Sequence, residues 1–272
     1  GQQRRVMAFI EVDNISYSYP NSSFLSIDGI SLKVERGEFL SILGPNGSGK
    51  STLSLILAGL IKESSGSIVV DGKSDIFSRR DKIRVVFQNP DNQIIGETVE
   101  EDVAFGPENL TLGQNEIRER VDRALKECRL YDKRECNPLN LSGGEKQRLA
   151  LSSILALEPE CIIFDEATSM LDENDRKSIL SLAIKEAKEK GRTVIYITHH
   201  TDEILASDRV LVFDEGKIIK DGNVRETLTY SLLKEHNLPL PYYLDLSHRL
   251  KLKECLTQDE LVEEIEKRSH KQ

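Results

Sequence analysis

The chain has 272 residues, with 37 lysines and arginines against 46 aspartates and glutamates, for a formal charge of −9. At roughly 100–200 residues per domain this is one large domain or one domain with an appendage, long enough to hold a core without disulfides or a structural metal. Its 38% hydrophobic and 31% charged residues are those of an ordinary folded protein, and the acidic balance argues against a nucleic-acid partner bound by broad phosphate neutralisation while leaving room for a local anion site.

No run approaches the ~18 apolar residues of a membrane span. The best, residues 161–164 and 210–213, have the length of core strands. Residues 1–5 carry charge with no apolar segment behind them, unlike a secretory leader, and Met7 is a candidate natural start. Cys128, Cys136, Cys161 and Cys255 lack C-x-x-C spacing and read as reduced thiols of a cytosolic protein, not as a disulfide frame or zinc site. Arg4–Arg5 and Arg79–Arg80 read as solvated surface pairs.

In chain order, residues 9–12 and 30–34 are short β-rich runs with turns at 19–22 and 35–37. Residues 39–43, Phe-Leu-Ser-Ile-Leu, form a continuous apolar strand ending in a glycine-rich turn, and 51–60 follow as a helix. Buried strand, glycine turn and helix together predict an α/β unit with a mostly parallel sheet. Residues 90–159 change character. Ile117, Val121, Leu125 and Cys128 recur at helical spacing, and a second helix over 142–157 opens with the capping box Ser142–Glu145. This reads as a helical insertion between strands.

Strand patterns return at 161–164, 193–198 and 209–213, with a helix over 172–190 capped by Asp172 and closed by Gly191. Beyond about Thr227 come Pro239, Pro241 and short helical pieces, with a second capping box at Thr257–Glu260 and the basic residues Lys267, Arg268 and Lys271 at the end. That tail reads as a small separate lobe.

Three segments carry chemistry. Gly44-Pro45-Asn46-Gly47-Ser48-Gly49-Lys50-Ser51 fits G-x-x-x-x-G-K-[ST] at every position. The glycines let successive N–H groups curl around phosphate oxygens and the following helix adds its positive end. Lys50 is placed to reach the β- and γ-phosphates, and Ser51 offers a hydroxyl to Mg²⁺. A chance match in this length is on the order of one in a hundred at a glycine frequency of about 7%. The pattern implies a nucleoside triphosphate. Residues 161–166, Cys-Ile-Ile-Phe-Asp165-Glu166, form an apolar strand ending in two acids. Beside a phosphate loop, Asp165 suits Mg²⁺ and Glu166 suits polarising a water for attack on the γ-phosphate. Leu141-Ser142-Gly143-Gly144-Glu145 starts a capped helix with its N–H groups open to a second anion.

The order of phosphate loop, LSGGE-K-Q-R and IIFDE resembles the nucleotide-binding subunits of ATP-binding cassette (ABC) proteins, from about Phe9 to Gly222. The resemblance implies an α/β ABC-type nucleotide-binding domain over residues 1–227, with a P-loop parallel-sheet core, an N-terminal antiparallel β subdomain and a helical subdomain at about 90–159. It implies ATP and Mg²⁺ as ligands. Tyr19 rather than Tyr17 would stack on adenine. Gly44, Pro45, Asn46, Gly47, Ser48, Gly49, Lys50, Ser51 and Thr52 would hold the phosphates, while Ser51, Gln88 and Asp165 would serve the metal. Glu166, His199 and Gln88 would be catalytic. Ser142, Gly143 and Gly144 would meet an ATP held by the opposite subunit, and Asp172 would lie in the loop crossing that interface. His200 stands where the family often has Asp and is not expected to be a second switch.

The segments 88–94 and 98–110 further resemble the ATPases of energy-coupling factor (ECF) transporters, importers of vitamins and transition-metal ions. This implies a second ATPase subunit, identical or paralogous, and a transmembrane coupling subunit docking near Gln88 and Ile95. A membrane substrate-binding subunit would be reached indirectly. The chain would sit peripherally on the cytoplasmic face of the cell membrane, and residues 228–272 would form an extension that pairs the two ATPases. The absence of a basic face or second cassette disfavours a DNA-repair or translation ATPase, and the presence of Glu166 and His199 disfavours a non-hydrolysing scaffold.

Overall fold

The computed structural model describes residues 8–270, so the expectations for Met7, Arg4–Arg5 and Lys271 lie outside the described residues. The chain opens with β1 (Ile10–Tyr17) and β2 (Ile27–Val34), then β3 (Phe39–Leu43) and α1 (Lys50–Leu57). After these come β4 (Ser65–Val70), α2 (Ile76–Lys82) and β5 (Ile83–Val86). β1 pairs antiparallel with both β2 and β4, giving a three-stranded sheet whose alternating apolar residues, Ile10, Val12 and Ile15 among them, face inward.

The helical insertion holds α3 (Val99–Glu108), α4 (Gln114–Glu127) and α5 (Gly143–Leu155). The Ser142–Glu145 capping box forms at α5 in both directions. A second complete box, Thr98–Glu101, starts α3. That helix was not anticipated, although the T-x-x-E spacing that marks it is present in the sequence.

β6 (Cys161–Asp165), α6 (Glu173–Lys188), β7 (Thr193–Thr198), β8 (Arg209–Asp214) and β9 (Lys217–Gly222) complete a six-stranded sheet in the order β5-β6-β7-β3-β8-β9. The pairs β5–β6, β6–β7, β7–β3 and β3–β8 are parallel and only β9 runs antiparallel. The continuous apolar runs at 39–43, 161–164 and 193–198 are therefore buried on both faces, as parallel strands require. The parallel core, antiparallel subdomain and helical insertion bear out the expected fold class.

The tail contains α7 (Val224–Thr227), α8 (Tyr230–Glu235), α9 (Tyr242–Arg249) and α10 (Gln258–Ser269). Leu228, Leu233, Leu238, Leu244 and Leu256 share one buried cluster with Leu43, Ile204, Val210 and Val212 of the sheet region, and His236 Nδ1 lies 2.7 Å from Asp214 Oδ2. In packing, residues 228–256 form a layer on the sheet, contrary to the separate lobe expected, because their leucines face it, whereas α10 supplies none to this cluster. The Thr257–Glu260 box forms in one direction only. Thr257 accepts from Glu260 N–H, but the Glu260 carboxylate turns to Leu256 N–H and to Arg225.

Arg79 corrects a second expectation. It is buried, with its two guanidinium NH₂ groups 2.8 Å from the two carboxylate oxygens of Glu63, and only Arg80 of the pair reaches the surface region, donating to Gly59 O. Of the cysteines, all free, Cys136 alone is exposed.

Candidate nucleotide site

β3 delivers the chain to the loop 44–49, which wraps the first turn of α1. Gly49 takes φ 103°, a backbone conformation that L side chains rarely adopt, and a Cβ there would collide with Ser26 O. A Cβ at Gly44 would collide with Phe213 O, so the loop lies against β8 where only glycine fits. Lys50 folds back over this loop. Its Nζ donates to Gly44 O at 2.6 Å and Pro45 O at 2.8 Å and lies 3.8 Å from Glu166 Oε1. Burial pushes its pKa down, opposed by the Glu166 and Asp165 carboxylates. A curled loop of N–H groups, a helix N-terminus and a buried ammonium together make a site for phosphate oxygens.

Asp165 ends β6 with its side chain buried and Oδ1 accepting from Ser51 Oγ at 3.0 Å. Desolvation raises its pKa, with the Ser51 hydrogen bond working against the rise. A hydroxyl and one carboxylate fit a hard cation that keeps most of its water shell, as Mg²⁺ does. Among the described residues no cluster of three or more His, Cys, Asp or Glu offers a fuller metal cage.

Glu166 has φ 50°, uncommon for a residue with a side chain. Its peptide is fixed on both sides: the N–H donates to Ile197 O at 2.9 Å, and the carbonyl accepts from Ser169 Oγ at 2.9 Å. The kink sets the carboxylate between Lys50 and His199, whose Nδ1 is 3.6 Å from Glu166 Oε2. That separation is longer than a hydrogen bond, and His199 Nδ1 is buried with no hydrogen-bond partner among the described residues. The His200 ring lies 4.2 Å from that of His199, tilted by 35°, and burial, then Arg176, lower the His200 pKa. Its ring backs that of His199.

Two clefts meet at Ser51 and Glu166. One, of about 370 Å³, is lined by Tyr19, Asn46, Gly47, Lys50 and Thr52. The other, of about 480 Å³, is lined by Phe87, Gln88, Asn92 and Asp165. Tyr19 and Thr52 share a hydrogen bond of 3.0 Å, whereas Tyr17 packs against the core edge-on to Tyr19. Phe24 also lines the first cleft and was missed, since a lone aromatic in a serine-rich turn belongs to no motif.

The fold thus gathers Tyr19, the phosphate loop, Ser51, Thr52, Gln88, Asp165, Glu166 and His199. Ser142, Gly143, Gly144 and Asp172 line neither cleft. They stand at the N-termini of α5 and α6, where Ser142 accepts from Glu145 N–H and Asp172 from Asp175 N–H.

Comparison with known proteins agrees with this arrangement. Residues 27–169 match the ABC transporter family model. The chain is 46% identical over 247 residues to the energy-coupling factor transporter ATP-binding protein EcfA of Methanosarcina acetivorans, covering 89% of each chain. It is 43% identical over 270 residues to EcfA1 of Clostridioides difficile, covering 94% of this chain and 98% of that one. Among solved structures it resembles cbiO1 from Clostridium perfringens, described as part of the ABC transporter complex cbiONQ, with TM-score 0.77 and 37% identity over 90% of this chain and 99% of that one. It also resembles the ATP-binding cassette MJ0796, seen as a dimer in a post-hydrolysis state with ADP and Pi, with TM-score 0.70 and 30% identity over 79% and 99% of the two chains. With a phosphate loop, a strand-end Asp-Glu pair and a facing histidine assembled at the C-terminal ends of three adjacent central strands, the chain belongs to the ABC transporter family, as an ATP-hydrolysing subunit of the energy-coupling factor type.

Proposed function

We propose that this ATPase drives an ECF-type importer for a vitamin or a transition-metal ion, two ATPase subunits closing head to tail on ATP. The observation that carries the reading is that Ser142, Gly143 and Gly144 line neither cleft of their own chain and present a capped helix N-terminus instead. Such a terminus suits a γ-phosphate held by another subunit. The description of MJ0796 as a dimer, and of cbiO1 as part of a larger complex, supports it.

In the closed site Tyr19 stacks on adenine, and the loop 44–49 with Lys50 and Thr52 holds the phosphates. Ser51, Asp165 and Gln88 would hold Mg²⁺, which when bound offsets the charge of the β- and γ-phosphates. Glu166 accepts a proton from the attacking water at its carboxylate, and His199 steadies the γ-phosphate. The water oxygen bonds to the γ-phosphorus as the bond to the ADP oxygen breaks. Asp172 crosses the dimer interface.

Beside Gln88 lies a second groove of about 310 Å³, lined by Leu60, Val85, Phe87, Ile95 and Phe105, with Leu60, Ile95 and Phe105 exposed. An apolar groove of this kind fits a helix of a transmembrane coupling subunit. Through it the chain sits peripherally on the cytoplasmic face of the membrane, and a substrate-binding subunit is reached indirectly. Residues 228–272 pair the ATPases through the outer face of α9 and α10, where Tyr242, Val262 and Ile265 are exposed. No helix among the described residues is long and apolar enough to cross a membrane.

Affinity purification from detergent-solubilised membranes tests this reading. A second ATPase chain and a multi-span membrane protein are expected to co-purify. A chain recovered alone, or with nucleic acid, sinks it.

A further inference from the structure

Gln147 lies on α5, one turn beyond the Ser142 to Gly144 segment, and is wholly buried. Its Nε2 donates to two backbone carbonyls from different loops: Phe87 O at 2.8 Å and Ala167 O at 2.6 Å. Phe87 directly precedes Gln88, and Ala167 directly follows Glu166. One side chain thus spans the residues next to the two groups that flank the attacking water. Two carbonyl acceptors fix which end of the amide faces them, and Oε1 is left buried with no partner among the described residues. A core position would be filled at lower cost by an apolar side chain, so the two donated bonds account for the amide.

The Phe87 peptide is held from its other side as well. Its N–H donates to Gln93 Oε1 at 3.0 Å, and Gln93 Nε2 donates to Val85 O at 2.9 Å. Phe87 and Gln93 line both the apolar groove and the cleft that holds Gln88 and Asp165, so they form the partition between the two. Lys146, the neighbour of Gln147, adds an ion pair at 2.8 Å to Asp91 in the same loop.

We propose that Gln147 is a positioning residue that ties the signature helix α5 to both walls of the catalytic cleft, so that Gln88 and Glu166 are aligned only when α5 is seated. The inference rests on the reading of Gln88 and Glu166 as catalytic. It acts through backbone carbonyls and needs no contact between Gln147 and ATP.

The test is steady-state ATP hydrolysis by the full chain. Gln147→Met keeps the length and volume and removes both donors. Its kcat is expected to fall about tenfold or more with KM for ATP within about twofold, and its melting temperature to stay close to wild type. Combined with Gln88→Ala, the loss is expected to fall short of the product of the two single losses, because the residues act as a unit. Gln147→Glu supplies a second readout. Its carboxylate donates nothing when ionised and one bond when protonated, so its kcat relative to wild type rises as pH falls. Wild-type kcat in Gln147→Met, fully multiplicative losses, or a loss that tracks melting temperature across the variants overturns the proposal. Wild-type kcat in Glu166→Gln would instead overturn the reading of the site, and is scored separately.

Discussion

Glu166 and Lys50 form the central pair of the site: a carboxylate oxygen 3.8 Å from a buried ammonium, held there by a residue in the left-handed backbone region. Glu166→Gln preserves shape and removes the base, so ATP affinity measured by calorimetry is expected to hold while turnover falls about 10²- to 10⁴-fold. Turnover at the wild-type rate would exclude Glu166 as the base. Glu166→Gly removes the base and also the strain of a side chain at φ 50°, so it is expected to be as stable as wild type or more so while equally inactive.

Asp165 carries a stability cost of its own. Its folded-state pKa is raised above the ordinary 3.8 by burial, so between those values the folded chain binds more protons than the unfolded one. Its contribution is fully present below about pH 3.8 and is lost as pH rises through the raised value. At neutral pH the ionised, desolvated carboxylate is a cost retained for function. Asp165→Asn is therefore expected to melt higher than wild type at pH 7, by about 2–4 °C for each kcal/mol relieved, and the gap should close toward pH 4. An Asn variant that melts lower at pH 7 would refute this, and its Mg²⁺-dependent turnover should be lost in either case.

The Arg79–Glu63 pair carries the other sign. Its side chains are 3% and 8% exposed, and the Arg79 guanidinium holds the Glu63 carboxyl below its usual range. A depressed acid contributes stability above its unfolded pKa and loses it as pH falls through the folded value. Glu63→Ala strands a buried guanidinium and is expected to cost about 3–5 kcal/mol, measured by urea unfolding at pH 7. Glu63→Leu combined with Arg79→Met removes both charges and should recover most of that loss, because buried pairs stabilise little relative to apolar replacements. If the double variant is no better than the single one, desolvation is not the cause.

What the sequence discloses here depends on whether the informative residues are neighbours in the chain. The phosphate loop, Asp165-Glu166 and Ser142 to Gly144 are contiguous, and each lies beside an apolar run that names its strand or helix. Arg79 read as a surface residue because its partner sits sixteen positions away with nothing local to announce it. Gln147 is hidden for the same reason: its meaning comes from Phe87 and Ala167, 60 and 20 positions distant. The tail read as separate because its leucines are scattered among prolines and short helices, and only the fold shows them facing Val210 and Val212. Thr98–Glu101 differs, since its capping spacing was there to be used.

The adjacent glycines of the signature allow the two-chain site to be tested apart from folding. A Cβ at Gly144 would collide with the Asp175 carboxylate, so a side chain there must displace Asp175 within this chain. A Cβ at Gly143 would meet nothing nearer than Leu171 Cδ2 at 3.9 Å, and the residue has ordinary helical backbone at the first position of α5. Nothing within the single chain requires glycine at 143, and alanine in a helix is favoured over glycine by about 1 kcal/mol or less. Gly143→Ala is therefore expected to melt at or slightly above wild type and to bind one ATP per chain with unchanged affinity. Its hydrolysis should nevertheless fall about tenfold or more at protein concentrations where wild-type turnover per chain rises with dimer formation, because a new methyl would stand where the partner's γ-phosphate must approach the helix N-terminus. Full activity in Gly143→Ala would mean that this face of α5 does not meet a nucleotide.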